Sequence, residues 1–182
     1  MNQNVQKPYE MITDFITGRS VANIGAEEHR QAVEKYLYRE KGFGAAEIGV
    51  DVPLSLTVGG GPYNTRLDLL VTVAEKPFMV IKCAAGSLES REKEVIAAAR
   101  VLEPIPAPYA AVSDGKTAVV YDTAKRAKIG EGLSRIPAHD EAERFMEGYA
   151  PAPVDEKRLE REKIIFKSYD SMNLNVQRML DQ

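Results

Sequence analysis

The chain has 182 residues, a formal charge of −3, and 44% apolar against 28% charged residues. These are ordinary values for one globular domain able to bury its own core. No stretch approaches the roughly 18 unbroken apolar residues of a membrane helix, the single Cys83 excludes an internal disulfide, and the acidic balance removes the simplest argument for nucleic-acid binding, a net positive charge that releases counterions from phosphates.

The first ten positions carry Asn, Gln, Lys and Pro where a secretory signal needs an apolar run, so the expected compartment is cytoplasmic. From Tyr9 to Ile16 the apolar spacing predicts a short docked helix ending near Gly18. Ala32, Val33, Tyr36 and Leu37 make the apolar stripe of an amphipathic helix over 26–41, with Glu27, Glu28, Arg30, Glu34 and Arg39 mainly on its other faces and Gly42 or Gly44 as its stop.

The period then becomes two. Ile48, Val50, Val52, Leu54, Leu56 and Val58 alternate with smaller or polar residues, which predicts a half-buried strand, near an edge or bulged at Pro53. Gly59 to Pro62 make a turn, Thr65 to Val73 the returning strand, and Phe78 to Cys83 a central strand buried on both faces. Ser87 is placed to cap the next helix, whose buried side carries Leu88, Val95, Ile96, Ala99 and Leu102. Pro104, Pro106 and Pro108 end it. Tyr109 to Ser113, the Asp114-Gly115 turn and Thr117 to Asp122 form a second hairpin, with a last extended piece at 127–129. Beyond Pro153 a charged amphipathic helix over 154–180 presents Leu159, Ile164, Ile165, Phe166, Tyr169 and Met172 on its apolar side. The expected fold is α/β, a small mixed sheet flanked by helices, as a single domain over 1–182 with its core at about 26–130.

Two charged residues stand where charge is costly. Asp68 sits among Leu67, Leu69, Leu70 and Val71, so it needs a cation, either Arg66 in a salt bridge or a metal. Lys82 ends the apolar run of the central strand, either snorkelling past its end or serving a function. The Gly59 to Gly61 stretch lacks the lysine and following helix of a phosphate loop, Cys83 reads as a small core residue, and His29 and His139 have no zinc spacing.

The order and spacing of Glu27-Glu28-His29-Arg30-Gln31, Glu40-Lys41-Gly42-Phe43, Arg66-Leu67-Asp68, Lys82-Cys83-Ala84 and Ser113-Asp114-Gly115 resemble the N-terminal domain family of type I restriction enzyme R subunits, a branch of the PD-(D/E)XK nuclease superfamily. The resemblance implies a restriction-endonuclease-like fold in which a hairpin Asp, here Asp68, and the Glu of a Glu-x-Lys motif hold magnesium, with Glu27 or Glu28 on the first helix assisting. Hard cations prefer carboxylate oxygens and stabilise charge on a phosphate. The chain departs from that pattern, reading Lys82-Cys83-Ala84 where Glu-Cys-Lys is expected. An ammonium in place of a carboxylate turns attraction for a metal into repulsion, about 4 kcal/mol per unit charge pair at ~4 Å and an effective dielectric of ~20.

The leading expectation is therefore a degenerate site, Lys82 paired with Asp68 and no cofactor bound, in a noncatalytic domain that binds nucleic acid or a partner. Two other readings stay open. In a divergent magnesium-dependent endonuclease, Glu92 or Glu94 would reach back to bind metal beside Asp68 while Lys82 serves as the lysine, although solvent exposure of both glutamates is the expectation. In a structural protein, the sheet edge or terminal helix would form a homo-oligomer.

Overall fold

The computed structural model describes residues 9–152 and 155–180, with side chains up to Met172. The first eight residues of the polar N-terminus and Val154, the expected start of the last helix, lie outside the described residues. The stretch expected to be a helix over 9–16 instead forms β1 (Met11–Thr13), paired antiparallel with β2 (Ser20–Ala22). Asp14 is the cause: its Oδ1 accepts the Thr17 N–H and hydroxyl, both at 2.7 Å, and its carbonyl accepts the Gly18 N–H at 2.9 Å. Local side-chain bonds of this kind compete with helix formation.

Helix α1 (Glu27–Arg39) has acids in its first turn and Arg39 in its last, matching the helix dipole, and Gly42, at φ +79°, turns the chain out of it. Alternating side chains build β3 (Ile48–Val58) and β4 (Gly61–Val73), joined through Gly59 and Gly60 at positive φ. β3 is the sheet's edge, where Pro53 withholds no donor from a second neighbour. The apolar run forms β5 (Lys76–Cys83), antiparallel to β4 and parallel to β6 (Tyr109–Ser113); α2 (Glu92–Arg100) lies in the crossover between β5 and β6. Ser87 does not cap this helix with its side chain. Its carbonyl accepts the Ser90 hydroxyl, and a 3-10 turn over Glu89–Arg91 precedes α2.

β7 (Ala118–Asp122) and β8 (Ala127–Glu131) complete the mixed sheet, in the order β3-β4-β5-β6-β7-β8. α3 (His139–Glu147) has no counterpart among the elements read from the sequence: Ala142 and Met146 are its only buried residues, too few to mark a stripe. Among the described side chains of α4 (Glu156–Leu180) the fully buried ones are Glu162, Phe166 and Asp170, at four-residue spacing. Ile164 and Met172, expected on the apolar side, are exposed, because two of those buried positions are acids held by ion pairing or hydrogen bonding. One apolar cluster fills the space between the sheet, α2 and α4, and a second joins the sheet to α1 and α3.

The β6–β7 turn touches α1 closely. Gly115 has φ +81°, and a Cβ there would lie 2.9 Å from Ala32 Cβ and 3.0 Å from the His29 carbonyl oxygen. Left-handed backbone and overpacking each cost about 1–3 kcal/mol. Gly115→Ala is therefore expected to lower unfolding free energy by about 2–5 kcal/mol, read as a reduced urea midpoint.

Candidate functional site

The ladder pair Leu69↔Ile81 sets the register of β4 on β5, so one step further Asp68 faces Lys82. Asp68 Oδ2 accepts the Cys83 N–H at 2.8 Å, and its Oδ1 lies 3.3 Å from Lys82 Nζ. The same ammonium is 3.3 Å from Glu94 Oε1, and Glu94 Oε2 is 3.4 Å from Arg91 Nη1. Asp68, Glu94 and Lys82 thus line a cleft with about 10 Å³ of free interior, scarcely one water, whose wall also holds Arg66. α4 closes one side of it with Phe166 and Asp170, the latter accepting the Tyr63 hydroxyl at 2.7 Å.

Burial by itself would favour a neutral Lys82, but Asp68, Glu94 and then Asp170 override it and carry the Lys82 pKa above its ordinary value. The ammonium therefore stays charged throughout the neutral range. Cys83, on the other face, is a buried free thiol whose pKa burial pushes well up, as expected of an inert core residue.

The residues expected in the site divide. Asp68, Lys82 and Glu94 meet, with Lys82 rather than Arg66 as the cation of Asp68. Glu94, expected in solvent, is 1% exposed, whereas Glu92 is half-buried and makes no contact with Lys82. Glu28 is exposed on α1 and accepts Asn23 Nδ2 at 2.9 Å, and Glu27 pairs with Arg30 at 2.7 Å; neither contributes to the cleft. His29 and His139 remain apart from it, His139 lying 3.0 Å from Glu47. Among the described residues no group of three or more His, Cys, Asp or Glu side chains is arranged to hold a metal.

A second polar centre, which residue patterning missed, lies under α1. Arg30 and Glu34, read as lying mainly off the apolar face, are buried. Arg30 lies 3.1 Å from Asp14, 3.3 Å from Glu34 and 3.8 Å from Asp51. Asp51 adopts φ +51° in the edge strand, between the pairs Val50↔Leu69 and Val52↔Leu67. Its cation is Arg30, whereas that of Asp68 is Lys82 in the cleft on the other face. Burial, with repulsion from Asp14, raises the Glu34 pKa to about 7 despite Arg30, while Asp14 is held below the usual range by Thr17, Arg30 and Gln31 against its own burial. The only early sign of this centre was the crowding of acids about Arg30 in Glu27 to Glu34.

A family model described as the N terminus of type I restriction enzyme R protein matches residues 25–137. That span holds Asp68, Lys82 and Glu94 and leaves out β1, β2, α3 and α4. No curated protein and no solved structure gave a significant match. No helix among the described residues is long and apolar enough to cross a membrane.

Breaking a buried ion pair costs about 3–5 kcal/mol, and the exposure of Lys82 and Asp68 screens part of that. Lys82→Met is expected to lose about 2–4 kcal/mol, read from urea unfolding at neutral pH. At the other centre, a Glu34 pKa of about 7 lies above the ~4.3 of a free Glu, so folding takes up a proton. The resulting stability is complete below ~pH 4.3 and is lost as pH rises through about 7. Relative to Glu34→Gln, the wild type should therefore lose about 3 kcal/mol between those limits, measured from paired urea titrations across pH.

Proposed function

Because the chain belongs to the family of type I restriction enzyme R protein N-termini, we propose that it is a restriction-endonuclease-like domain of a restriction system in which an internal ion pair has replaced the magnesium centre, leaving binding of nucleic acid or of a partner as its role. One observation carries this reading: Lys82 Nζ lies 3.3 Å from both Asp68 and Glu94, between the two acids that a divalent ion would need. Arg91 pairs with Glu94 as well, and although Asp170 also lines the cleft, a divalent ion would have to expel the ammonium to reach oxygen ligands. The residues as they stand do not fit magnesium, and no hydrolytic step is assigned to them. Ala84, buried where the motif lysine is expected, supplies no group to orient an attacking water.

The convergence of Asp68, Glu94 and Lys82 also favours a second reading, a divergent magnesium-dependent endonuclease in which Glu94 replaces the missing strand Glu. It requires Lys82 to swing out from between the acids and serve as the lysine. Metal titration separates the two. Millimolar magnesium or manganese is expected to leave the melting temperature of the wild type unchanged, whereas a site filled at a hundredfold its Kd would add about 2.7 kcal/mol, several degrees for a domain of this size. The double change Lys82→Glu with Ala84→Lys should create the missing metal-dependent shift. A clear shift in the wild type, with cleavage of duplex DNA, overturns the noncatalytic reading.

A further inference from the structure

At the opposite end of the parallel pair β5–β6 lies a second, larger cavity, of about 340 Å³. Met79 pairs with Tyr109 at this end and Cys83 with Ser113 at the other, so four residues, or about 13 Å of strand, separate it from the Lys82 centre. Three of its lining residues are aromatic. Phe78 and Tyr109 meet edge to face at 5.2 Å, and Phe145 of α3 leans on Tyr109 at 5.1 Å and on Phe78 at 6.4 Å. Ala142 and Met146 anchor α3, yet Phe145 between them is 41% exposed, a large apolar ring left at the mouth of the cavity.

The polar lining is mixed in sign. Arg135 lies against β8 at Gly130, where a Cβ would stand 2.3 Å from its Nε, and its Nη2 donates to the Ile129 carbonyl at 3.2 Å. Glycine thus leaves room for the guanidinium, whose other N–H groups make no hydrogen bond among the described residues. Glu141, also in the lining, uses Oε2 to accept the Ala138 N–H at 2.8 Å, which caps α3 and leaves Oε1 as an acceptor. The Tyr109 hydroxyl makes no hydrogen bond among the described residues.

We propose that this cavity binds a nucleobase, stacked on the exposed ring of Phe145, with its edge acceptors taken by Arg135 and its edge donors by Glu141. The volume lies in the range of small-ligand sites, about 300–1,000 Å³, and base-on-aromatic stacking is a strong and sequence-tolerant contact. A simple anion would meet Glu141 and a simple cation Arg135, whereas a neutral planar ring with donors and acceptors on one edge satisfies both. Phe145 and Glu141 lie outside residues 25–137, so α3 adds these two groups to a wall that the family-matched part otherwise supplies, and the proposal stands independently of the reading of Lys82.

Calorimetric titration with the four nucleoside monophosphates, a single-stranded tetranucleotide and ribose 5-phosphate tests it. At least one base-bearing probe is expected to bind with a Kd of about 0.1 mM or tighter, and ribose 5-phosphate not to bind. Phe145→Ala, folded by circular dichroism, should weaken binding about tenfold or more. Gly130→Ala, which leaves the backbone unstrained but displaces Arg135, should also weaken it. A tetranucleotide that binds more tightly than every mononucleotide places the base in a single strand; one that binds no more tightly places it in a free nucleotide. Absence of binding by every base-bearing probe, equal binding of ribose 5-phosphate, or undiminished binding by folded Phe145→Ala overturns the proposal.

Discussion

Lys82 lies where β5 leaves the apolar part of the sheet, and its ammonium is shared between Asp68 of β4 and Glu94 of α2. Each of these groups would be costly in a cleft with almost no room for water, yet together they hold a strand pair and a crossover helix in one geometry. Asp68 also accepts the Cys83 N–H, so the same carboxylate satisfies β5's backbone and its charge. Asp170 adds negative field from α4, and Tyr63 ties that acid back to the β3–β4 hairpin. Three distant segments thereby converge on one positive side chain.

The other face of the sheet repeats the arrangement with an arginine. Arg30 lies among Asp14, Glu27, Glu34 and Asp51, drawing the β1–β2 segment and the edge strand onto α1. A planar fork suits several carboxylates at once, which one ammonium cannot match. The acids outnumber the guanidinium, and Glu34, the most enclosed of them, answers by favouring its neutral form. The centres differ in their response to pH: the ammonium of Lys82 stays charged through neutrality, while the Arg30 centre exchanges a proton near it.

Elements outside the family-matched span modify the part it covers. α4 covers the cleft at Lys82 with Phe166 and Asp170, and its Glu162 receives Arg100 at 3.2 Å and also Arg126. α3 supplies Phe145 to the aromatic cavity at the far end of the sheet. Such additions alter which surfaces and side chains remain accessible while leaving the strand order intact, and function follows from those local sites rather than from the sheet.

Local pattern was enough for the sheet and its main helices. Period-two alternation marks β3, the apolar run marks β5, and Asp114-Gly115 marks the β6–β7 turn, because these signals lie within a few neighbouring residues. The pairing of Asp68 with Lys82 was an expectation of the family resemblance, whereas local pattern offered Arg66 or a metal as the cation of Asp68. Tertiary structure alone decided that Glu94 is buried beside them, that Arg30 and Glu34 turn inward, and that Asp14 makes strands of an apolar stretch with helical spacing. The physical reason is that a polar side chain becomes an interior residue only when a partner arrives from elsewhere in the chain, and periodicity records the face a residue occupies, not the charge that will meet it.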